Sequence, residues 1–232
     1  MRDFPFPIKT YTMERFIFLD IDGVLHPLNE KQLPALVKQE DLFKRVQEED
    51  ELGEGLKTSD ILEGEFMPDI MLRLSKLVKA VSKNGKVAIV LSSTWRETLP
   101  RRKAVNSKLK EFGIPQFSSI TPILQLQYRC QRAHEIVAWL CANQQQTQSE
   151  FRFVILDDSD LVDKEGVSEG EKDLAAAFVE PYFVRCEKSI GLTENDCGRA
   201  IDILNKTDSI FFPESLLLSI KEIHKQVNEN DN

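Results

Sequence analysis

The chain has 232 residues, 41% of them hydrophobic and 29% charged, a balance typical of a globular protein that excludes fibrous and largely disordered classes. Its formal charge of −8 opposes unspecific attraction to nucleic acid or anionic membrane, except at a local basic patch of Arg96, Arg101, Arg102 and Lys103. No apolar run reaches bilayer length and no signal-peptide pattern opens the chain, so cytoplasm is the default expectation; export without a cleavable signal would leave the same pattern.

Met1 to Glu14 shows no clear period and reads as a lead-in arm. Arg15 to Leu19 is a short apolar run of the kind that forms a strand buried on both faces, and it delivers Asp20 at its carboxyl end. From His26 to Met67 the chain is polar and acidic, with a predicted helix from Leu33 to Glu49 and glycines at 53, 55 and 64, and it reads as an insertion over the site. Pro68 opens an amphipathic helix carrying Ile70, Met71, Leu74, Leu77, Val78 and Val81, and Asn84-Gly85 stops it. A second buried strand, Val87 to Leu91, leads into Ser92-Ser93-Thr94.

A further helix is predicted over Arg101 to Phe112, stopped by Gly113, and a short strand over Ile114 to Ile120 before Pro122. Arg132 to Cys141 has Ile136, Val137 and Leu140 on one helical face, and Asn143 to Glu150 reads as a loop. Phe151 to Leu156 is a third strand, ending in Asp157-Asp158. Tyr182 to Val184 reads as one more strand, Thr193 with Asp196 as a capping box for a helix through Leu204, and Pro213 to Val227 as a final helix. Strands alternating with helices predict an α/β fold, a parallel sheet with helices on both faces and ligands at the carboxyl ends of the strands.

That topology can bring Asp20, Asp22, Asp157 and Asp158 to one rim. Crowded carboxylates repel one another unless a hard cation neutralises them, and oxygen-only ligands point to Mg2+. Beside such a cation Asp20 can attack phosphorus, with Asp22 as acid and then base, and Gly23 permits the tight departure of the backbone. Ser93, or Ser92 as the lesser candidate, is expected to hold a phosphoryl oxygen; Arg132, with Arg129 as runner-up, supplies a cation, and Arg96 is a candidate substrate contact. Trp95 reads as a packing anchor and His26 as a turn residue. The four cysteines form no C-x-x-C pair and the three histidines are scattered, which argues against zinc.

Phe18-Leu19-Asp20-Ile21-Asp22-Gly23-Val24-Leu25 resembles the first motif of the haloacid dehalogenase (HAD) superfamily, Leu91-Ser92-Ser93 the second, Arg132 the third and Leu156-Asp157-Asp158-Ser159 the fourth. The Trp95-Arg96 continuation, the Arg132-Ala-His-Glu-Ile helix with Trp139-Leu140, and Phe183-Val184-Arg185 followed by Gly191-Leu192-Thr193 narrow the resemblance to the HAD domain of Swiss-army-knife RNA-repair proteins and to HAD-type protein-tyrosine phosphatases of bacterial effectors. The resemblance covers roughly Arg15 to Leu204 and implies a Rossmann-like core; the domain is expected over residues 1–206 with a small cap or flap at about 29–67, and residues 207–232, outside the resemblance, are expected to form a C-terminal helix that starts a linker or a further domain. It also implies one Mg2+ held by Asp20, the backbone carbonyl of Asp22, and Asp157 or Asp158, with phosphomonoester hydrolysis as the activity. The expected substrate is protein phosphotyrosine or a small aryl phosphate. A polynucleotide end phosphate is the alternative, disfavoured by the acidic charge, and a receiver-like or partner-binding module without catalysis is the rival class.

Overall fold

A computed structural model describes residues 13–28, 66–124, 130–144, 151–161, 173–207 and 210–218. Five strands, β1 (Glu14–Leu19), β2 (Lys86–Leu91), β3 (Ser119–Ile120), β4 (Phe151–Asp157) and β5 (Phe183–Arg185), form one sheet in the order β3-β2-β1-β4-β5 with every pair parallel. The described helices are α1 (Pro68–Ser82), α2 (Leu99–Glu111), α3 (Gln131–Gln144), α4 (Leu174–Val179) and α5 (Glu194–Asn205).

Both faces of the sheet are covered, and the alternation of the strands shows how. Ile17, Leu19, Ile89, Leu91, Val154 and Leu156 face one cluster with the apolar sides of α1, α2 and α5, whereas Phe18, Val90, Phe153 and Ile155 face a second cluster with α3 and α4. This two-sided burial is why the central strands read as continuous apolar runs. All six apolar residues predicted for the first helix are buried in α1. The buried Arg15 guanidinium donates to the Asn84 carbonyl at 2.7 Å and the Leu204 carbonyl at 3.2 Å, tying the ends of α1 and α5 together.

The expected capping box closes α5 in both directions: the Asp196 amide donates to Thr193 Oγ1 at 3.2 Å, and the Thr193 amide donates to Asp196 Oδ2 at 3.0 Å. The strand expected from Ile114 shrinks to Ser119–Ile120. Pro115 has no amide hydrogen to give a ladder, and the Phe117 amide is taken by the Asn106 side chain at 3.0 Å. Tyr182 belongs to a 3₁₀ turn, Glu180–Tyr182, that precedes β5. Helix α4 was not foreseen; Asp173 caps it by accepting from the Ala176 amide at 2.9 Å.

The lead-in arm before residue 13 and nearly all of the insertion, with its predicted helix and three glycines, lie outside the described residues, as do 145–150 of the predicted loop and the final helix beyond 218. Residues 214–218 of that helix are helical, and Phe212 and Leu216 pack on the second cluster.

Phe153 is fully buried on the central part of the sheet, with Tyr182 at 4.4 Å and Phe18 at 5.9 Å between ring centroids. Phe153→Ala is expected to cost about 3–5 kcal/mol of unfolding free energy, read from the urea midpoint at unchanged slope.

Candidate active site

Register alone assembles the rim. Leu19 pairs with Leu91 on one side and with Leu156 on the other, so Asp20, Ser92 and Asp157 follow abreast at the carboxyl edge. Two hydrogen bonds continue the ladder past the strands: the Asp20 amide donates to the Leu156 carbonyl at 3.0 Å, and the Ser92 amide to the Leu19 carbonyl at 2.9 Å. The order 3-2-1-4-5 sends the chain in opposite directions after β1 and β4, and a crevice opens at such a reversal.

Asp20, Asp157 and Asp158 each bring a carboxylate oxygen within 4.8 Å of the others. Asp20 and Asp157 are buried; Asp158 is partly open. Burial first, and then the neighbouring Asp157 charge, push the Asp20 pKa well above the usual carboxylate range, although Arg132, the Ser93 hydroxyl and the Ile21 amide pull the other way. Asp158 is also raised, by burial and by Asp157, with Lys188 opposing. The protein's own groups therefore leave this cluster short of positive charge. Three hard oxygen donors in that condition fit a divalent cation of the magnesium class.

Gly23 is required here on two counts. Its φ is +74°, and a Cβ in its place would lie 2.4 Å from the carboxyl carbon of Asp158. The turn it serves is closed by the Leu25 amide donating to Ile21 at 2.9 Å and the Gly23 amide donating to His26 at 2.7 Å.

The Asp22 side chain is not part of the three-carboxylate group, and the ligand expected from this residue is its backbone carbonyl. Its Oδ2 accepts from Trp95 Nε1 at 2.9 Å, and its Oδ1 lies 3.2 Å from His26 Nδ1. Both oxygens of the Asp22 carboxylate thus have side-chain partners, and the family resemblance gives the backbone carbonyl of this residue to the metal.

Ser93 is fully buried; its hydroxyl accepts from the Trp95 amide at 3.4 Å as the cap of the 3₁₀ turn Thr94–Arg96 and favours the ionised form of Asp20. The Ser92 hydroxyl is buried with no hydrogen-bond partner among the described residues. Arg132 reaches over the cluster from the first turn of α3: its Nη1 donates to Asp157 Oδ2 at 3.0 Å, lies 3.5 Å from Asp20 Oδ1 and also donates to the Ser92 carbonyl. Burial lowers its pKa, but Asp157, Asp20 and Glu135 outweigh that and raise it. Arg129 lies outside the described residues.

Arg96, expected as a substrate contact, is buried and lines the cleft beside Arg132. Its side chain is only 3% exposed, donates to Glu135 Oε2 at 2.6 Å and to the Ser93 carbonyl at 2.7 Å, and so braces the serine loop from behind. The basic patch is accordingly divided: Arg96 is buried, Arg101 lies over the Trp95 ring at 5.8 Å, and Lys103 is exposed.

Glu135 received no role from the sequence, yet it is the hub of this brace. Besides Arg96 it accepts from Gln131 Nε2 at 3.0 Å and from the Leu124 amide at 3.2 Å, and lies 3.7 Å from Arg132 Nε. Its position three residues after Arg132 on a predicted helix was the available signal. His26 is the turn residue and Trp95 the buried packing residue expected, and each also holds Asp22. Beside Arg132 a cleft of about 250 Å³ is lined by Thr94, Gln131, Cys130, Ser159 and Leu161 among others.

Residues 16–197, well over half of the chain, match the family described as the HAD domain in Swiss Army Knife RNA repair proteins. No curated protein and no solved structure gives a match.

A folded-state pKa for Asp20 above its unfolded value of about 3.9 means the folded protein binds that proton more tightly. Stability from this group is therefore present at low pH and lost as pH climbs toward the folded-state value. In EDTA the stability of wild type relative to Asp20→Asn is expected to fall as pH rises from about 4 to neutrality. Saturating Mg2+ should flatten that difference, measured by urea unfolding at each pH.

Proposed function

The chain belongs to the HAD domain family of Swiss Army Knife RNA repair proteins, and from that premise we propose that it is a magnesium-dependent phosphomonoesterase with Asp20 as nucleophile. The family implies a phosphoesterase-type hydrolase. The observation that carries the finer reading is the level juxtaposition of Asp20, Asp157 and Asp158 at adjacent strand tips, with the Arg132 guanidinium over them.

A divalent cation held by Asp20, the Asp22 carbonyl and Asp157 or Asp158 would supply the charge that keeps Asp20 ionised and offsets the phosphate oxygens. The remaining work belongs to the chain. An Asp20 oxygen forms a bond to phosphorus while the ester P–O bond breaks, and Asp22 gives its proton to the departing oxygen. Water then attacks phosphorus, loses a proton to Asp22, and the phosphoryl–Asp20 bond breaks to release phosphate and regenerate both carboxyl groups. Ser93 and Arg132 stand beside the position of the transferring oxygens, where fixed donors lower the barrier without reorganising.

Among substrates, the −8 charge favours a phosphotyrosyl protein or a small aryl phosphate over a polyanion, which binds through charge neutralisation. A polynucleotide end phosphate is the second reading, favoured by the family's place in RNA repair proteins.

Wild type with Mg2+ is expected to hydrolyse p-nitrophenyl phosphate, and both EDTA and Asp20→Asn to reduce the rate by about a thousandfold or more. Saturable turnover surviving Asp20→Asn would sink the mechanism. On a panel of phosphotyrosyl peptides and 3′- or 5′-phosphorylated oligonucleotides, the peptides are expected to show the higher kcat/KM; a preference for oligonucleotide ends would move the assignment to end healing.

A further inference from the structure

The Asp22 carboxylate is gripped from both sides by groups that no motif assigns a task. It stands on the turn after β1 with its side chain 35% exposed, open enough to meet a leaving group and free enough to adopt several rotamers if nothing held it. Trp95 Nε1 donates to Oδ2 at 2.9 Å, and His26 Nδ1 lies 3.2 Å from Oδ1. One jaw therefore comes from the turn that carries Asp22 itself, and the other from the 3₁₀ turn that follows β2.

Each jaw is anchored independently. The His26 ring is almost fully buried, and its backbone is tied into the turn by an amide bond to the Ile21 carbonyl at 3.1 Å and a carbonyl bond from the Gly23 amide at 2.7 Å. Trp95 is 4% exposed, stands edge-to-face with Phe66 at 5.7 Å, and has Arg101 over its ring at 5.8 Å. Its backbone amide bonds the Ser93 hydroxyl, so the jaw on Oδ2 is rigidly linked to the residue beside the Asp20 carboxylate.

We propose that His26 and Trp95 are positioning residues for proton transfer, a two-sided clamp that fixes the Asp22 carboxylate at the leaving-group oxygen. This rests on the reading of Asp22 as the acid that protonates the leaving group. The consequence is specific. An ester whose leaving group departs readily as an anion gains little from a well-aimed acid, whereas one that must be protonated depends on it. Damage to the clamp therefore falls on the second kind.

The test compares kcat/KM for p-nitrophenyl phosphate and phenyl phosphate with Mg2+, because kcat/KM reports steps up to cleavage of the ester and excludes hydrolysis of the phosphoryl-enzyme. Trp95→Phe keeps the ring against Phe66 and deletes the donor; His26→Ala deletes the other jaw; His26→Asn restores a polar group near the Nδ1 position. Trp95→Phe and His26→Ala are each expected to lose about tenfold more on phenyl phosphate than on p-nitrophenyl phosphate, with His26→Asn recovering most of the loss. In an Asp22→Asn background Trp95→Phe should cost little more, since it acts through that carboxylate. Equal losses on both esters, or full additivity in that background, would overturn the clamp.

If wild type turned over neither ester, the phosphatase reading would fall, and the clamp would be judged by structure alone. The Trp95 indole N–H resonance, identified by its loss in Trp95→Phe, is then expected to move in Asp22→Ala while that of Trp139, which donates to Ser119 Oγ at 2.9 Å, stays in place. An unmoved Trp95 resonance would refute the clamp.

Discussion

Everything at the rim follows from carboxylates that are held too close together by a ladder they cannot escape. Asp20 and Asp157 each sit one residue past a pair of facing leucines, Leu19 and Leu156, in parallel strands locked by burial on both faces. Sliding either strand by one residue would turn its apolar set to the wrong cluster, so the register cannot relax to relieve the repulsion. The stability of the core is thereby converted into electrostatic tension at its edge. Burial first, and the Asp157 charge second, raise the Asp20 pKa at this edge.

The chain answers the tension only in part, through Arg132, and it spends considerable structure on keeping that one guanidinium in place. Glu135, Gln131, Arg96 and the Leu124 amide form a buried polar network behind it, in which the Glu135 carboxylate satisfies four neighbours at once. Burying such a network costs desolvation that a purely apolar core would avoid, and its return is a fixed geometry. The geometry in question joins the loop of Ser93, through Arg96, to the helix of Arg132. These are the two elements that meet the transferring phosphoryl group under the proposed mechanism.

Much of this was legible in the sequence, for an identifiable reason. Asp20, Ser92-Ser93 and Asp157-Asp158 each end a short apolar run, and runs of that kind in a βα alternation have one parallel solution that lines up their carboxyl ends. The α1 face and the Thr193–Asp196 box were equally readable, because helical spacing and capping chemistry are local. What the sequence did not disclose were partnerships between distant residues. Nothing within a few positions of Arg96 reveals Glu135, which is far along the chain, and Arg96 beside a basic stretch read as a substrate contact. Likewise His26 and Trp95 have unremarkable neighbours in sequence, and only the fold turns both toward Asp22. The shortened β3 has a local cause, Pro115, that the apolar residues around it outweighed when read by pattern alone.

The placement of Trp95 carries one more consequence. Phe66, at the end of the insertion, is buried against its indole, and the indole holds the carboxylate proposed to carry the proton. The junction between insertion and core is thus two contacts from that carboxylate. In a fold whose sheet fixes Asp20 and Asp157 by register, the Asp22 side chain is more open than either of them, 35% exposed against 7% and 0%. Chemistry that needs one immobile nucleophile and one proton carrier able to meet different leaving groups would distribute rigidity in this way, with backbone register for the first and side-chain contacts for the second. A change of packing at Phe66 would therefore reach Asp22 through the Trp95 indole, and through the Trp95 amide it would also reach Ser93 beside Asp20. The route is physical: an edge-to-face ring contact, a single indole hydrogen bond, and the oxygen that bond restrains.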